Sequence, residues 1–251
     1  MRIAVAIVVF VAAAAAQDRF PSTIPATAGS ERYVRAMYRR GEDRTILRGH
    51  VKVLGRDEGG NETAGLLKVE KCVRVVDGAE KELVRAGEVL LVKRSNGKNF
   101  FYLESGEPLG KDELRYVSLV SGLRGGADDL DFWDGEKVNE ARLRKVIANA
   151  DFDMAAVESQ TRVVDGQFIG RLAIAKMVGK PNGTFKDGTF DVECRWRIDD
   201  KGLERFRHTH WVLRERGESA KPREVEIIGI EAHTAAAADA VFEEWMKTDA
   251  R

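Results

Sequence analysis

Neither sign of charge is in excess in this chain: 41 lysines and arginines stand against 41 aspartates and glutamates over 251 residues. That balance removes the basic footprint of a nucleic-acid binder, so no nucleic-acid partner is expected, and it leaves no acidic tail to keep a segment unfolded. Cysteine is almost missing. Cys72 and Cys194 are the only two, an even pair that in an oxidising compartment forms one disulfide or else leaves two buried thiols. Spacing cannot decide between these, because a bridge requires Cα atoms within about 7 Å. No GxSxG elbow, HExxH or CxxC occurs, so the usual signatures of a serine hydrolase, a zinc protease or a dithiol redox centre are absent. Asparagine and glutamine are few beside alanine, arginine, glycine and valine, a bias that points to a bacterial host.

Long apolar runs are also missing, with one exception at the start. Arg2 is followed by Ile3 to Ala16 without a charge, ending in alanines before Gln17-Asp18-Arg19. A positive start, a short apolar stretch and small residues at its end read as a secretory signal peptide cleaved near Ala16. The run is shorter than the roughly 20 apolar residues that span a bilayer, and an uncleaved anchor is the alternative. No cysteine follows it to carry a lipoprotein anchor. The expected organisation is a signal peptide at 1–16, a flexible leader at 17–30 and a single domain at 31–251, exported to the periplasm or secreted, with no integral membrane span in the mature chain. The 43% hydrophobic content supplies enough material for a core.

Residues 184–216 give the clearest pattern. Phe190, Val192, Cys194, Trp196 and Ile198 alternate with Asp191, Glu193, Arg195, Arg197 and Asp199, a period of two that buries one face of a strand. Asp200-Lys201-Gly202 makes a turn, and a second strand carries Phe206, His208, His210 and Val212 on one face against Arg207, Thr209, Trp211 and Leu213 on the other. Further strands are expected at 45–54, 66–76, 158–164, 167–178 and 224–230. Asn96-Gly97 fits a two-residue hairpin turn, which fixes a register of Val92 against Phe101, Leu91 against Tyr102 and Leu90 against Leu103. The words Arg74-Val75-Val76-Asp77-Gly78 and Arg162-Val163-Val164-Asp165-Gly166 are identical, through shared turn chemistry or duplication.

Helices are expected where the spacing changes. Ser30 offers an N-cap to a helix carrying Tyr33, Val34, Met37 and Tyr38 and ending at Gly41. Leu114, Val117, Val120 and Leu123 mark a helix at 111–123, and Leu143, Val146, Ile147 and Ala150 another at 136–150. Thr234 caps a last helix to Lys247, whose Val241, Phe242, Trp245 and Met246 need a surface to lie against. The expected fold is α+β: a largely antiparallel, twisted or curved sheet in two strand blocks, about 44–105 and 157–232, with a helical insert at about 111–150, covered on one face by the middle and C-terminal helices. The order of elements is similar to that of periplasmic lipoprotein carriers.

Candidate chemistry centres on the histidines. Strand alternation aims His208 and His210 the same way, as metal ligation from one strand requires. Gly202, five residues, His208-x-His210, four residues and Glu215 together resemble the first metal motif of the cupins over fewer than twenty residues. The resemblance implies a divalent transition metal held by His208, His210 and Glu215. This chain departs from it where the closing glycine is replaced by Pro222 and where a second motif with its own histidine is missing; His233 is the only histidine downstream. The acidic loop Asp128–Glu136 has the composition but not the spacing of a calcium loop, and a helix N-terminus explains its carboxylates. Gly106-x-x-x-Gly110-Lys111 has the wrong spacing for a phosphate loop. Ser118 and Ser121 have no neighbouring base. Asn61 and Asn182 head glycosylation sequons that matter only in a eukaryotic host.

The expected function is that of an exported, non-catalytic envelope or periplasmic binding or carrier protein, without a cofactor, for a hydrophobic ligand or a protein partner. The alternative is a metal-dependent enzyme with a cupin-like His-x-His strand. Whether the chain is an enzyme is left open by the residues themselves.

Overall fold

The computed structural model describes residues 29–56, 63–95, 98–110, 132–134, 137–148, 150–180, 188–199, 204–215 and 222–249. The leader, the stretch at 111–131 with its expected helix, the calcium-like loop up to Asp131, Ser118, Ser121 and both sequon asparagines lie outside them. Fourteen strands are described: β1 (Glu31–Arg40), β2 (Asp43–Arg56), β3 (Thr63–Val76), β4 (Ala79–Val84), β5 (Val89–Ser95), β6 (Lys98–Leu103), β7 (Trp133–Asp134), β8 (Lys137–Val138), β9 (Ala150–Asp151), β10 (Val157–Val164), β11 (Gln167–Gly179), β12 (Gly188–Ile198), β13 (Glu204–Glu215) and β14 (Arg223–Ala232). Helices α1 (Glu140–Val146) and α2 (Ala235–Asp249) complete the regular elements, with a short 3-10 turn at Met154–Ala156.

Twelve strands form one antiparallel sheet in the order β10-β11-β12-β13-β14-β1-β2-β3-β5-β6, with β4 and β9 paired to β3 and β11 beside that path. The two strand blocks are therefore two meanders sharing one seam, where the first strand in the chain pairs with the last: Tyr33 lies opposite Ala232 and Met37 opposite Ile228. The hairpin register read from Asn96-Gly97 is the one observed, with Leu90, Leu91 and Val92 opposite Leu103, Tyr102 and Phe101. Both copies of the repeated word end in the same tight turn. Asp77 and Gly78 have φ of 50° and 79°, Asp165 and Gly166 of 50° and 75°, and two successive positive φ angles are what a type I′ hairpin asks of its Asp-Gly pair.

The α+β expectation is overturned: the described chain is essentially one large antiparallel sheet with two short helices. The expected N-terminal helix is β1, which also removes the first element of the likeness to lipoprotein carriers. Its apolar spacing is that of a central strand covered on both sides, with Val34 and Ala36 buried on one face and Arg35 and Met37 on the other. Arg35, in the middle of the segment, is buried as well. The expected helix at 136–150 shrinks to one seven-residue helix because Lys137–Val138 pairs with Trp133–Asp134. Asn139 then caps α1, its Oδ1 accepting from Arg142 N at 3.1 Å, and Ala150 belongs to a strand pairing with Gly179.

Nor do the helices share a face. Cross-strand partners point the same way, so the register links Trp196 through Arg207 and Gly229 to Ala36 and Leu47. That face carries two apolar clusters. One gathers Leu47, Val51, Leu67, Val69, Leu90 and Phe101 on the N-terminal meander; the other gathers Phe132, Phe152, Phe168, Leu172 and Trp196 with Leu143 of α1. The opposite face carries a third cluster, in which Phe242 and Ala238 of α2 pack on Met37, Ile228 and Ile230.

Helix α2 is fixed there by more than apolar contact. Thr234 caps it as expected, its Oγ1 accepting from Ala237 N at 3.2 Å. Arg35, only 2% exposed, donates from Nε and Nη2 to the two carboxylate oxygens of Asp239 at 2.6 and 3.2 Å and from Nη1 to the Val34 carbonyl at 3.0 Å. Glu70 stands 3.0 Å from the same Nη1; it occupies a break in the β2–β3 register, between Lys71 opposite Arg48 and Val69 opposite Gly49. The bulge turns a carboxylate toward a buried cation.

The cysteines are both free. Cys72 is on β3 and Cys194 on β12, five strand spacings apart in the sheet order, which at about 4.8 Å each is several times the reach of a disulfide. Burial pushes the Cys72 thiol up to about 12, so at neutral pH it is an inert core side chain.

Candidate functional site

On the α2 face, β13 presents Phe206, His208 and His210 in a row. The two histidine rings are stacked with centroids 6.4 Å apart, so they do share a face as alternation requires. His208 lies between Phe206, at 6.4 Å, and Trp245 of α2, at 5.8 Å. Its Nε2 donates to Glu226 Oε1 at 2.6 Å, and Arg39 Nη2 stands 2.6 Å from the other oxygen. Burial alone would raise the Glu226 carboxyl; the His208 hydrogen bond and the positive charge of Arg39 outweigh it and hold the group below the usual carboxylate range. His210 is more open and faces Glu224 at 3.7 Å, too long for a hydrogen bond.

Glu226 was not a candidate in the sequence reading. A signal was present, since Glu226 falls on the same strand parity as Ile228 and Ile230, which are fully buried. Only the β13–β14 pairing, with His210 opposite Glu226 and His208 opposite Ile228, brings it to the histidines. Glu215 is the last residue of β13, five positions beyond His210. His233 is exposed in the turn before α2. Among the described residues no group of three metal-ligating side chains converges.

A glutamate held ionised in this way ties stability to pH. Its folded pKa is depressed, so its contribution is whole above the unfolded value of about 4.3 and is lost as pH falls through the folded value. Glu226→Gln is therefore expected to be less stable than the parent at pH 7, with a gap that narrows steadily below about pH 4. Urea melts over that range measure it, and a gap independent of pH would mean that the carboxylate charge contributes nothing.

Beside the His208–Trp245 contact opens a cleft of about 870 Å³ between α2 and strands β10 to β13. Two cross-strand rows form its floor. One runs Arg162, Ile169, Arg197 and Phe206, and the next runs Gln160, Arg171, Arg195 and His208. Val241, Glu244 and Trp245 of α2 form the wall. The cleft is thus graded: aromatic and aliphatic side chains with Glu226 and Glu244 against the helix, arginines toward the β10 edge. Arg171 donates to Glu193 at 3.0 Å and to Glu158 at 3.3 Å, and Arg195 to Glu193 at 2.7 Å. Burial would raise Glu193, and these two guanidinium groups bring it below the ordinary range instead.

No family model matches the chain, and no curated protein matches it. Among solved structures, one similar chain is that of lipovitellin, titled for its lipid–protein interactions, with 9% identity and a TM-score of 0.38 over 80% of this chain; this chain spans 24% of its length. Another is a DUF1329 family protein from Desulfovibrio piger, with 13% identity and a TM-score of 0.25, matched over 81% of this chain and 84% of its own. Neither likeness bears on the function of this chain. No helix among the described residues is long and apolar enough to cross a membrane.

Proposed function

We propose that this is an exported, non-catalytic binding or carrier protein whose hydrophobic ligand lies in the cleft beside α2. The observation that carries the reading is the cleft itself: its volume is within the about 300–1,000 Å³ of small-molecule sites, and half-buried Ile169, Phe206, Val241 and Trp245 line it. Partly exposed aromatic and aliphatic side chains gathered in one concavity are what an apolar ligand requires and what a solvated sheet face does not. Export rests on the charged start, apolar run and alanine boundary of residues 1–19.

The alternative metal-dependent enzyme keeps one supporting observation, the shared face of His208 and His210. Against it, His208 spends Nε2 on a buried carboxylate, and a catalytic zinc ordinarily takes three protein ligands. One experiment addresses both readings. The full-length gene is expressed in a bacterium, and material from outside the cytoplasm is analysed by mass spectrometry under native and denaturing conditions. The expected result is a chain lacking about the first sixteen residues, carrying a bound apolar molecule released by organic solvent and no stoichiometric transition metal. Intact Met1 in a soluble cytoplasmic fraction would overturn export. A stoichiometric metal lost in both His208→Ala and His210→Ala would establish the alternative.

A further inference from the structure

We infer that the cleft takes an amphiphile with an anionic head, a carboxylate or a phosphate on an alkyl chain, with the head held by Arg162 and Arg197. This deepens the preceding reading and rests on the cleft being the ligand seat.

The four arginines of the cleft are not equivalent. Arg171 and Arg195 are engaged by Glu158 and Glu193. Arg162 and Arg197 pair with no carboxylate among the described residues; Arg197 lies over the Phe206 ring at 5.9 Å, and both side chains are exposed at the rim. They belong to one cross-strand row, separated only by Ile169, so their Cα atoms are two interstrand spacings, about 10 Å, apart. Two long guanidinium side chains from such positions can close on a single anion between them. Arginine suits that role, because its planar fork meets a carboxylate or phosphate in two parallel hydrogen bonds.

The rest of the row supplies the other half of the ligand. Ile169 lies between the two arginines, Phe206 lies next to Arg197 on the helix side, and Val241 and Trp245 stand beyond it. A chain laid along the row runs from paired cations at the β10 side to an aromatic end against α2. A purely apolar ligand would offer the two cations at the rim no partner. A small anion would leave the aromatic end unfilled.

Calorimetric titration of the full chain with dodecanoate, dodecyl phosphate, dodecanol and inorganic phosphate tests this, on the parent and on the double variant Arg162→Gln/Arg197→Gln. Both substitutions are at exposed positions, and a thermal melt checks that the variant is folded. Dodecanoate, dodecyl phosphate or both are expected to bind the parent at least tenfold more tightly than dodecanol or inorganic phosphate, and the double variant to lose that advantage while keeping its dodecanol affinity. Preference between the two anionic chains identifies carboxylate or phosphate as the head. Equal binding of dodecanol and the anionic chains, or an unchanged advantage in the variant, would overturn the anionic head and leave the apolar cleft standing. Binding of inorganic phosphate as tight as dodecyl phosphate would overturn the amphiphile. Absence of binding by any alkyl chain would remove the cleft as ligand seat.

Discussion

Replacing Trp196 by alanine is expected to lower the stability of the folded chain by about 3–5 kcal/mol, the usual cost of emptying a buried aromatic site. Trp196 is 5% exposed and belongs to the cluster containing Phe132, Phe168 and Leu172, with the Phe132 ring 6.2 Å away. Its neighbours cannot easily close the gap. Gly170, directly opposite on β11, has no side chain to offer, and the Phe168 ring already occupies the space a Cβ there would need, at 2.9 Å. Against a typical total of about 5–15 kcal/mol the loss is large enough to unfold much of the population at elevated temperature. Arg195 precedes Trp196 on the same strand and points the other way, with a 57% exposed side chain bound to Glu193. Arg195→Ala is expected to cost about half a kcal/mol or less. Thermal melts of the two variants side by side decide the matter, and equal losses would mean that the faces of β12 are misassigned.

A second large loss is expected for Asp239→Ala, about 1.5–3 kcal/mol, because it removes the two charge-assisted hydrogen bonds that a buried guanidinium makes to the helix. Arg35 would keep Glu70 and the Val34 carbonyl but lose the bidentate partner that joins β1 to α2, and Arg48, 3.5 Å from the same carboxylate, would lose it too. The effect depends on pH in a determinate direction. The Arg35 hydrogen bond holds Asp239 below the usual carboxylate range, so the pair is intact above about pH 4 and is lost as pH falls through the folded pKa. The difference between parent and variant in urea melts should therefore be full at pH 7 and shrink in acid. A difference that stays constant to low pH would assign the loss to packing alone.

What was legible in the sequence was whatever alternation and turn chemistry determine locally. The β12 faces, the Asn-Gly register, both Asp-Gly turns and the Thr234 cap depend on residues within a few positions of one another, and the structure has them as read. β1 was misread because burial on both faces erases the period of two, and because Arg35 owes its burial to Asp239, about two hundred residues away. The fold class failed with it. The site was legible only in its local half: the common face of His208 and His210 follows from alternation, whereas Glu226, Arg39 and Trp245 arrive through strand pairing and helix docking. The cleft was not legible at all, because its row of Arg162, Ile169, Arg197 and Phe206 draws one residue from each of four strands.

The seam between β1 and β14 also bears on the order in which the molecule can be assembled. Most of the sheet is a succession of hairpins, whose contacts close short loops, but Arg32 and Glu231 meet across 199 positions of chain. Until β14 has been synthesised, β1 is an edge with a free row of amide and carbonyl groups, the kind of edge that recruits foreign strands. Each meander can form its hairpins on its own schedule, yet joining them must wait for the last strand and carries the loop-closure entropy of nearly the whole domain. Residues 223–249 thus act as a clasp: β14 joins the two halves along β1, and α2 lays Asp239 on Arg35 of that same strand.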